Sequence, residues 1–251
     1  NSIIATLYVV SSSLVADGEV GLSLSAMHNL HVKDQDQVTI LHPQPVQSFA
    51  KVRSKMYGAE LTEADFDLIL TDVVAERYAN IEIAAFVTAC AGTNMSLPEI
   101  VALTKAMIHS GSRIEWGKQM IVDKHCVGGL PGNRTTPIVV SIVAAAGLTI
   151  PKTSSKAITS PAGTADTMET MTNVELSVEQ IREVVEKVGG CLAWGGAVRL
   201  SPADDILIRI EKALDIDSEG QMIASVLSKK AAAGSTHVIL DIPVGPTAKV
   251  R

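Results

Sequence analysis

Aromatic residues, cysteines and basic charge are all in short supply in this chain. Aromatic side chains make up 3% of the 251 residues and hydrophobic residues 47%, so the core must be aliphatic, as in parallel α/β proteins. The three cysteines (Cys90, Cys126 and Cys191) are unevenly spaced, which argues against a disulfide framework and a zinc-binding pattern. The net charge of -6 argues against general nucleic-acid binding, although local lysines can still serve a nucleotide-sized ligand.

Long apolar runs are also missing. No stretch is long enough to span a bilayer, and residues 1–10 carry no basic residue or cleavage pattern of a signal peptide. We therefore expect a soluble, cytoplasmic protein without a membrane partner. The first residue is not Met and the chain ends abruptly at Arg251, which suggests a truncated chain without a C-terminal domain.

A glycine-rich segment between a predicted strand and a predicted helix is the most informative feature present. Residues 124–136 read KHCVGGLPGNRTT and separate the strand predicted at 120–122 from an apolar helix at 136–146. Glycines let the backbone N–H groups approach an anion at a helix N-terminus, and Lys124, Thr135 and Thr136 add charge and donors. The pattern matches neither common nucleotide-binding fingerprint, and taken alone it is equally well explained as an ordinary turn.

A second donor-rich segment favours the anion-binding interpretation. Residues 152–167 read KTSSKAITSPAGTADT and follow another predicted strand at 148–150. Loops after neighbouring parallel strands converge on one crevice of an α/β sheet, so we expect the segments around Gly129 and Ser160 to face each other. Together they predict a site for phosphate or a phosphorylated ligand.

The order of predicted elements gives three domains. Residues 1–57 are predicted to form a small N-terminal β domain with strands at 3–10, 38–41 and 49–52. Residues 58–118 carry three helical patterns and capping sequences, which predict a helical lobe. Residues 119–251 alternate strands and helices, with further strands at 192–194 and 238–242, which predicts an α/β phosphate-binding domain with a mostly parallel sheet.

The two loop sequences, KHCVGGLPGNRTT and ITSPAGTADT, resemble those of the thymidine phosphorylase/AMP phosphorylase family, and more closely its AMP phosphorylase branch. The resemblance continues through AERY at 75–78, SPADD at 201–205, MIASVLSKK at 222–230 and ILDIPVG at 239–245. It covers nearly the whole chain in order. It implies the same fold, including the small β domain, and a homodimer formed through the helical lobe.

The resemblance also implies which residues bind phosphate and nucleotide. We expect the first loop to supply Gly128 and Gly129 to the phosphate site. The positions that match phosphate contacts in the family are Lys124, Thr135, Ser154 and Thr164. The positions that match nucleotide contacts in the AMP phosphorylase branch are Gly132, Ile158, Thr159, Ser160, Pro161, Ala162, Gly163, Thr167 and Lys249.

The candidates for proton transfer and base recognition lie elsewhere. His125 follows the phosphate-site lysine and could contact the substrate or act as an acid, since its ordinary pKa lies near neutrality. Asp217 matches the proton donor of the AMP phosphorylase branch, although from sequence alone it would more naturally cap a helix. Asp204 and Asp205 form a rival pair. Ser225 and Lys229 are four residues apart on one helix face and match base-contacting positions, although Lys229 and Lys230 also fit a solvated helix edge.

The resulting hypothesis is a pentosyltransferase. With inorganic phosphate as co-substrate and neither cofactor nor metal, it would convert a nucleoside or nucleoside 5′-monophosphate into free base and α-pentose 1-phosphate. The arginine that grips the pyrimidine in thymidine phosphorylases corresponds here to Ile210 or Glu211, which favours the nucleotide branch. Two alternatives stay open: an anthranilate-type phosphoribosyltransferase and a non-catalytic nucleotide-binding protein.

Overall fold

The structure is a computed structural model that describes residues 1–10, 13–42, 45–117, 120–127, 134–156, 163–216 and 218–246. It divides into two compact units, Asn1–Gln47 and Ser48–Arg251. Among the described residues, no helix combines the length and apolar character needed to cross a membrane.

The first unit contains one short helix, α1 (Leu24–Leu30), which Ser23 caps by accepting a hydrogen bond from the Ala26 N–H. Its described residues include no strand, so the strands predicted at 3–10 and 38–41 are not observed. Their apolar side chains are largely exposed, Val9 at 91%, and a strand is not stable without a neighbouring strand or a packed face.

The strand predicted at 49–52 is wrong, because α2 (Phe49–Met56) covers these residues. Its sequence, FAKVRSKM, contains good helix formers that outweigh the β-favouring Phe49 and Val52. With this helix, the second unit begins at Ser48, nine residues before the predicted end of the β domain at 57.

The second unit contains the helical lobe and the sheet. The lobe helices that follow α2 in the chain are α3 (Glu63–Val74), α4 (Asn80–Ala89) and α5 (Leu97–His109). Thr62 and Asp65 form a capping box at the start of α3, as the sequence predicted. The Phe66 and Phe86 rings pack edge to face in the lobe core, with centroids 6.2 Å apart.

Within the described residues, the sheet contains four short parallel strands. They are β1 (Val122–Cys126), β2 (Ile150–Ser154), β3 (Gly190–Trp194) and β4 (His237–Asp241). β1 pairs with β4 and β2 pairs with β3, while one parallel bridge, between Ile121 and Thr149, connects the two pairs. The spatial order is therefore 4-1-2-3, and the parallel α/β prediction is confirmed.

Helices alternate with these strands. α6 (Thr135–Ala145) follows β1, α7 (Thr164–Glu169) and α8 (Val178–Val188) follow β2, and α9 (Pro202–Leu214) and α10 (Glu219–Ala232) follow β3. The helix predicted at 136–146 is α6, within one residue of its observed bounds, whereas α9 was not predicted. Both α9 and α10 pack on lobe helices, so residues far along the chain complete the lobe.

Two strands extend further than predicted at their carboxyl ends. β1 and β2 were placed at 120–122 and 148–150, but the ladders run to Cys126 and Ser154. Lys124, His125, Lys152 and Ser154, which were assigned to loops, therefore lie within strands. Hydrophobic periodicity missed these extensions because the strands continue through charged residues that are buried by pairing with one another.

Candidate active site

Lys124 lies near the carboxyl end of β1, where the sequence predicted the phosphate site. Its Nζ donates a hydrogen bond to Thr135 Oγ1 at 3.1 Å and lies 2.8 Å from Asp241 Oδ2. Thr135 begins α6, and Asp241 ends β4, the neighbour of β1. The lysine is thus held at a helix N-terminus, where the helix dipole also favours an anion.

Asp241 acts as the counter-ion of Lys124 in this state. The hydrogen bond from Lys124 holds the pKa of the Asp241 carboxyl below its usual range, so the carboxylate stays ionised. An incoming phosphate must therefore compete with Asp241 for the ammonium group.

The second predicted loop begins at the end of β2. Ser154 is the last residue of this strand, and its carbonyl accepts a hydrogen bond from the Gly195 N–H at 3.0 Å. Because β1 and β2 are parallel and joined by a bridge, Ser154 and Lys124 lie toward the same edge of the sheet.

Three further predicted residues build the start of α7. Thr164 is its first residue, and Gly163 is its N-cap, with the Gly163 N–H donating to Asp166 Oδ2 at 2.8 Å. The Thr167 hydroxyl donates to the Gly163 carbonyl at 3.0 Å. Gly163 and Thr167 therefore stabilise the N-terminus of α7 through these hydrogen bonds.

Asp123, the residue before Lys124 in β1, belongs to a group of buried charges that the sequence did not predict, here called the Asp123 cluster (Asp123, Lys152 and Lys230). Lys230 Nζ lies 2.9 Å from Asp123 Oδ2, and Lys152 Nζ lies 3.9 Å from Oδ1. Both lysines also donate to the Thr153 carbonyl. The solvated-edge alternative for Lys230 is wrong, because the residue is 3% exposed.

His125 follows Lys124 and is surrounded by positive charge. Burial, together with Lys230, Lys152, Lys229 and Lys124, lowers the pKa of His125 to about 3. The imidazole is therefore neutral near pH 7. It can donate or accept a hydrogen bond, but it is not a reservoir of an acidic proton.

The predicted base-contacting pair on α10 is in direct contact. Lys229 Nζ donates to Ser225 Oγ at 3.3 Å and lies 2.5 Å from Asp204 Oδ2 on α9. Asp204 is 1% exposed, so Lys229 is fixed by a buried carboxylate rather than solvated at a helix edge. Desolvation by surrounding groups raises the pKa of the neighbouring Asp205, although Asp205 itself is exposed.

Cys126 is poorly suited to act as a nucleophile. Burial and the nearby Asp241 carboxylate raise the pKa of its thiol, which disfavours the reactive thiolate.

Several predicted site residues lie outside the described residues. They are Gly128, Gly129, Gly132, Ile158, Thr159, Ser160, Pro161, Ala162, Asp217 and Lys249. Their roles, and the predicted facing of the Gly129 and Ser160 segments, therefore stay predictions.

A separate group on the lobe has the composition of a metal site, although no metal-binding pattern is visible in the sequence. Glu63, Asp67 and His109 hold potential ligand atoms within 4.8 Å of one another. In the structure these groups pair with protein partners: Glu63 with Lys105 at 2.8 Å, and Asp67 with His109 at 3.1 Å.

Comparison with known proteins identifies the family. The model of the glycosyl transferase family a/b domain matches residues 118–247, and that of the family's helical bundle domain matches residues 51–111. Proteins named "Putative thymidine phosphorylase" from Polaromonas sp. (strain JS666) and Legionella pneumophila (strain Corby) are 60% and 59% identical to this chain. All of this chain aligns with them, but it spans 49% and 48% of their lengths.

A solved structure shows the same fold. The anthranilate phosphoribosyltransferase (TrpD) from Thermus thermophilus matches 78% of this chain and 58% of its own, with a TM-score of 0.62 and 20% identity. Together with the two domain matches, these findings show that the chain belongs to the glycosyl transferase family with a helical bundle and an a/b domain, as its resemblance to thymidine and AMP phosphorylases predicted.

Proposed function

We propose that this chain carries the phosphate-binding part of a pentosyltransferase that cleaves the N-glycosidic bond of a nucleoside or nucleoside 5′-monophosphate by phosphorolysis. The observation that carries the proposal is the position of Lys124, held between Thr135 and Asp241 at the edge of a parallel sheet. The relatives' names support the same reaction class.

In the proposed reaction, the site must hold phosphate while phosphate attacks the sugar. A phosphate oxygen forms a bond to the anomeric carbon while the carbon–nitrogen bond breaks, and its electron pair leaves with the base. If phosphate attacks opposite the base, the product is an α-pentose 1-phosphate. Lys124, Thr135 and the N-terminus of α6 would hold the dianion, which is electrostatic preorganisation.

The departing base must also receive a proton. Neutral His125 fits a hydrogen-bond donor to the base or sugar better than a proton source, because its pKa of about 3 leaves no imidazolium at neutral pH. Asp217 stays the proposed proton donor by resemblance. Asp205 is the rival carboxyl, and its raised pKa fits an acid.

For the substrate, we favour a nucleoside 5′-monophosphate over thymidine. The position of the pyrimidine-gripping arginine falls on Ile210 or Glu211, and Ile210 is buried against neighbouring helices. Lys229 and Ser225 would then face the base. No cofactor or metal is part of this proposal, and inorganic phosphate is the co-substrate.

The test is release of free base. The chain is incubated with phosphate and a panel of thymidine, uridine, AMP, CMP and UMP, with and without anthranilate plus ribose pyrophosphate and magnesium. Base release that requires phosphate supports phosphorolysis. Consumption of ribose pyrophosphate instead would support the phosphoribosyltransferase alternative, which at present is supported only by a shared fold.

A matched pair of variants ties the activity to the site. We expect Lys124→Met to lower the rate of base release about 100-fold or more, since losing one preorganised charge donor typically costs that much. Lys105→Met, on the exposed face of α5, should leave the rate unchanged. Equal rates in both variants, or nucleotide binding with no turnover in the parent chain, would contradict the proposal.

We also propose a homodimer formed through the helical lobe. The lobe surface exposes Leu68 on α3 and Leu97 and Val101 on α5 at 47%, 73% and 47%, as an apolar contact surface would.

A further inference from the structure

Two ammonium groups in the Asp123 cluster share a single carboxylate. Asp123, Lys152 and Lys230 are 3%, 4% and 3% exposed, so water does little to screen them. Lys230 makes the closer contact with Asp123, at 2.9 Å against 3.9 Å for Lys152. If both lysines were protonated, this buried group would carry an excess charge of +1.

The charged groups around the cluster do not compensate this excess. Lys124 on β1 is paired with Asp241 on β4, and Lys229 on α10 is paired with Asp204 on α9. Three other titratable neighbours, His125, Cys126 and Cys191, are uncharged near neutral pH: burial lowers the pKa of His125 to about 3, and it raises the thiol pKa values of Cys126 and of Cys191, the latter to about 12. Within the described part of the chain, the imbalance therefore stays at Lys152 and Lys230.

An unpaired buried charge is costly enough that a group usually loses its proton instead. Lys152 is the group that does so here, because it lies farther from the carboxylate. Burial, followed by repulsion from Lys230, holds the pKa of Lys152 well below its usual range. The cluster by itself thus lacks one proton over part of the accessible pH range.

We propose that binding of phosphate at Lys124 is coupled to uptake of one proton by Lys152. This inference rests on the phosphate site of the proposed function. Lys124 and Lys152 lie on neighbouring strands, and a dianion placed beside them would supply the negative charge that the cluster lacks. The proton comes from solvent and forms an N–H bond at Lys152 Nζ, with no electron transfer.

The sign of the pH dependence follows from linkage. Below the lowered pKa of Lys152 the ammonium group is already present, so binding takes up no proton. Between that pKa and the higher pKa that Lys152 has beside the bound anion, each anion bound requires a proton from solution, and the affinity falls as pH rises by up to about tenfold per pH unit. Lys152 would therefore act through the phosphate site at Lys124, as a positioning residue that becomes protonated when an anion binds there.

The experiment is isothermal titration calorimetry of the chain with inorganic phosphate between pH 6 and 9. Each titration is run in two buffers of different ionisation enthalpy, and the difference gives the number of protons taken up. Sulfate serves as a second probe, because it has no proton of its own to exchange in this range. We expect uptake to approach one proton per anion for both probes within part of this range.

Two variants test the assignment independently. Lys152→Met removes the group that takes the proton. Lys230→Met removes the competing ammonium group, so that Asp123 pairs with Lys152 alone and Lys152 is charged before an anion binds. Proton uptake should vanish in both, while Lys105→Met should keep it. Circular dichroism confirms that each variant is folded, and either variant alone suffices for the test.

The outcomes separate this inference from the proposed function. Base release without proton uptake, unchanged uptake in a folded Lys152→Met chain, or no anion binding would overturn the inference. Proton-linked anion binding with no base release from the nucleoside panel would support the inference and contradict phosphorolysis.

Discussion

At the scale of single residues, the site is organised by how buried charges are paired. Lys124, Lys229 and Lys230 each contact a carboxylate, and these carboxylates come from β4, α9 and β1. Such pairs fix the direction of long side chains that would otherwise be mobile. An anion entering this site therefore meets lysines already held in place, which reduces the entropy lost on binding.

His125 gives a prediction that requires no substrate. Its pKa is about 3 in the folded chain, against about 6.5 when unfolded. As pH falls through the unfolded value, the unfolded chain gains a proton that the folded chain does not bind, so stability is lost on the acid side. Between pH 7.5 and pH 5 this loss is about 2 kcal/mol.

We expect His125→Gln to remove this loss. Urea unfolding of both chains at pH 7.5 and pH 5 measures it, and other groups cancel because both chains contain them. The parent chain should lose about 2 kcal/mol more than the variant. Equal losses would show that His125 titrates normally in the folded protein.

At the scale of elements, a close backbone contact restricts which residue can follow α10. Gly234 follows α10 with a φ of +78°, and a Cβ atom there would lie 2.2 Å from the Ile114 carbonyl oxygen. Ile114 belongs to the core cluster beneath β3, and its N–H donates to the Ala232 carbonyl at 2.8 Å. The end of α10 is thus locked to the segment that precedes β1.

Gly234→Ala should therefore destabilise the chain by about 3 kcal/mol or more, through steric overlap added to the cost of a left-handed backbone. Gly147 is a matched control, since it follows α6 with a φ of +84° but has open space around it. Gly147→Ala should cost about 1 kcal/mol. Similar losses in urea unfolding of the two variants would show that contact with Ile114 is unimportant.

Sequence patterns predicted some helices and strands of this fold but not others. Helices with a capping box and an apolar stripe, such as α3 and α8, and the parallel order of the strands follow from local signals. α2 was not predicted because its propensities conflict. α9 was not predicted because the acidic pair in its first turn, Asp204 and Asp205, was interpreted as a candidate for proton transfer.

The candidate site was predicted only where a motif marked it. Lys124 and Thr135 were selected together and do contact each other. Asp123, Lys152 and Lys230 were missed because a charged residue is assigned by default to a surface or loop. Their burial depends on contacts among β1, β2 and α10, which are distant in sequence and which no local pattern encodes.

At the scale of the whole molecule, the two compact units differ in how they are built. The described residues of Asn1–Gln47 contain one seven-residue helix and no strand. Ser48–Arg251 contains the lobe core and the core cluster beneath β3. Proteases cut backbone that opens readily, and segments with few buried contacts open most often.

Limited digestion with a protease of broad specificity should therefore cut first within residues 1–47. We expect a resistant fragment whose N-terminus lies near Ser48, identified by N-terminal sequencing and mass spectrometry. Digestion in urea serves as the control, because unfolding removes the difference between the units. Early cuts within α3, α5 or α10 would contradict this division.

The counter-ion of Lys124 lies on the outermost strand of the sheet. Within the described residues β4 is hydrogen-bonded to β1 alone, and Ile239 on it is 71% exposed. Terminal strands fray more readily than central ones, and each opening of β4 would release the ammonium group from Asp241. The affinity of the site for an anion therefore depends on how often β4 separates from β1. Any chain segment that paired with the free edge of β4 would change this affinity without contacting the site.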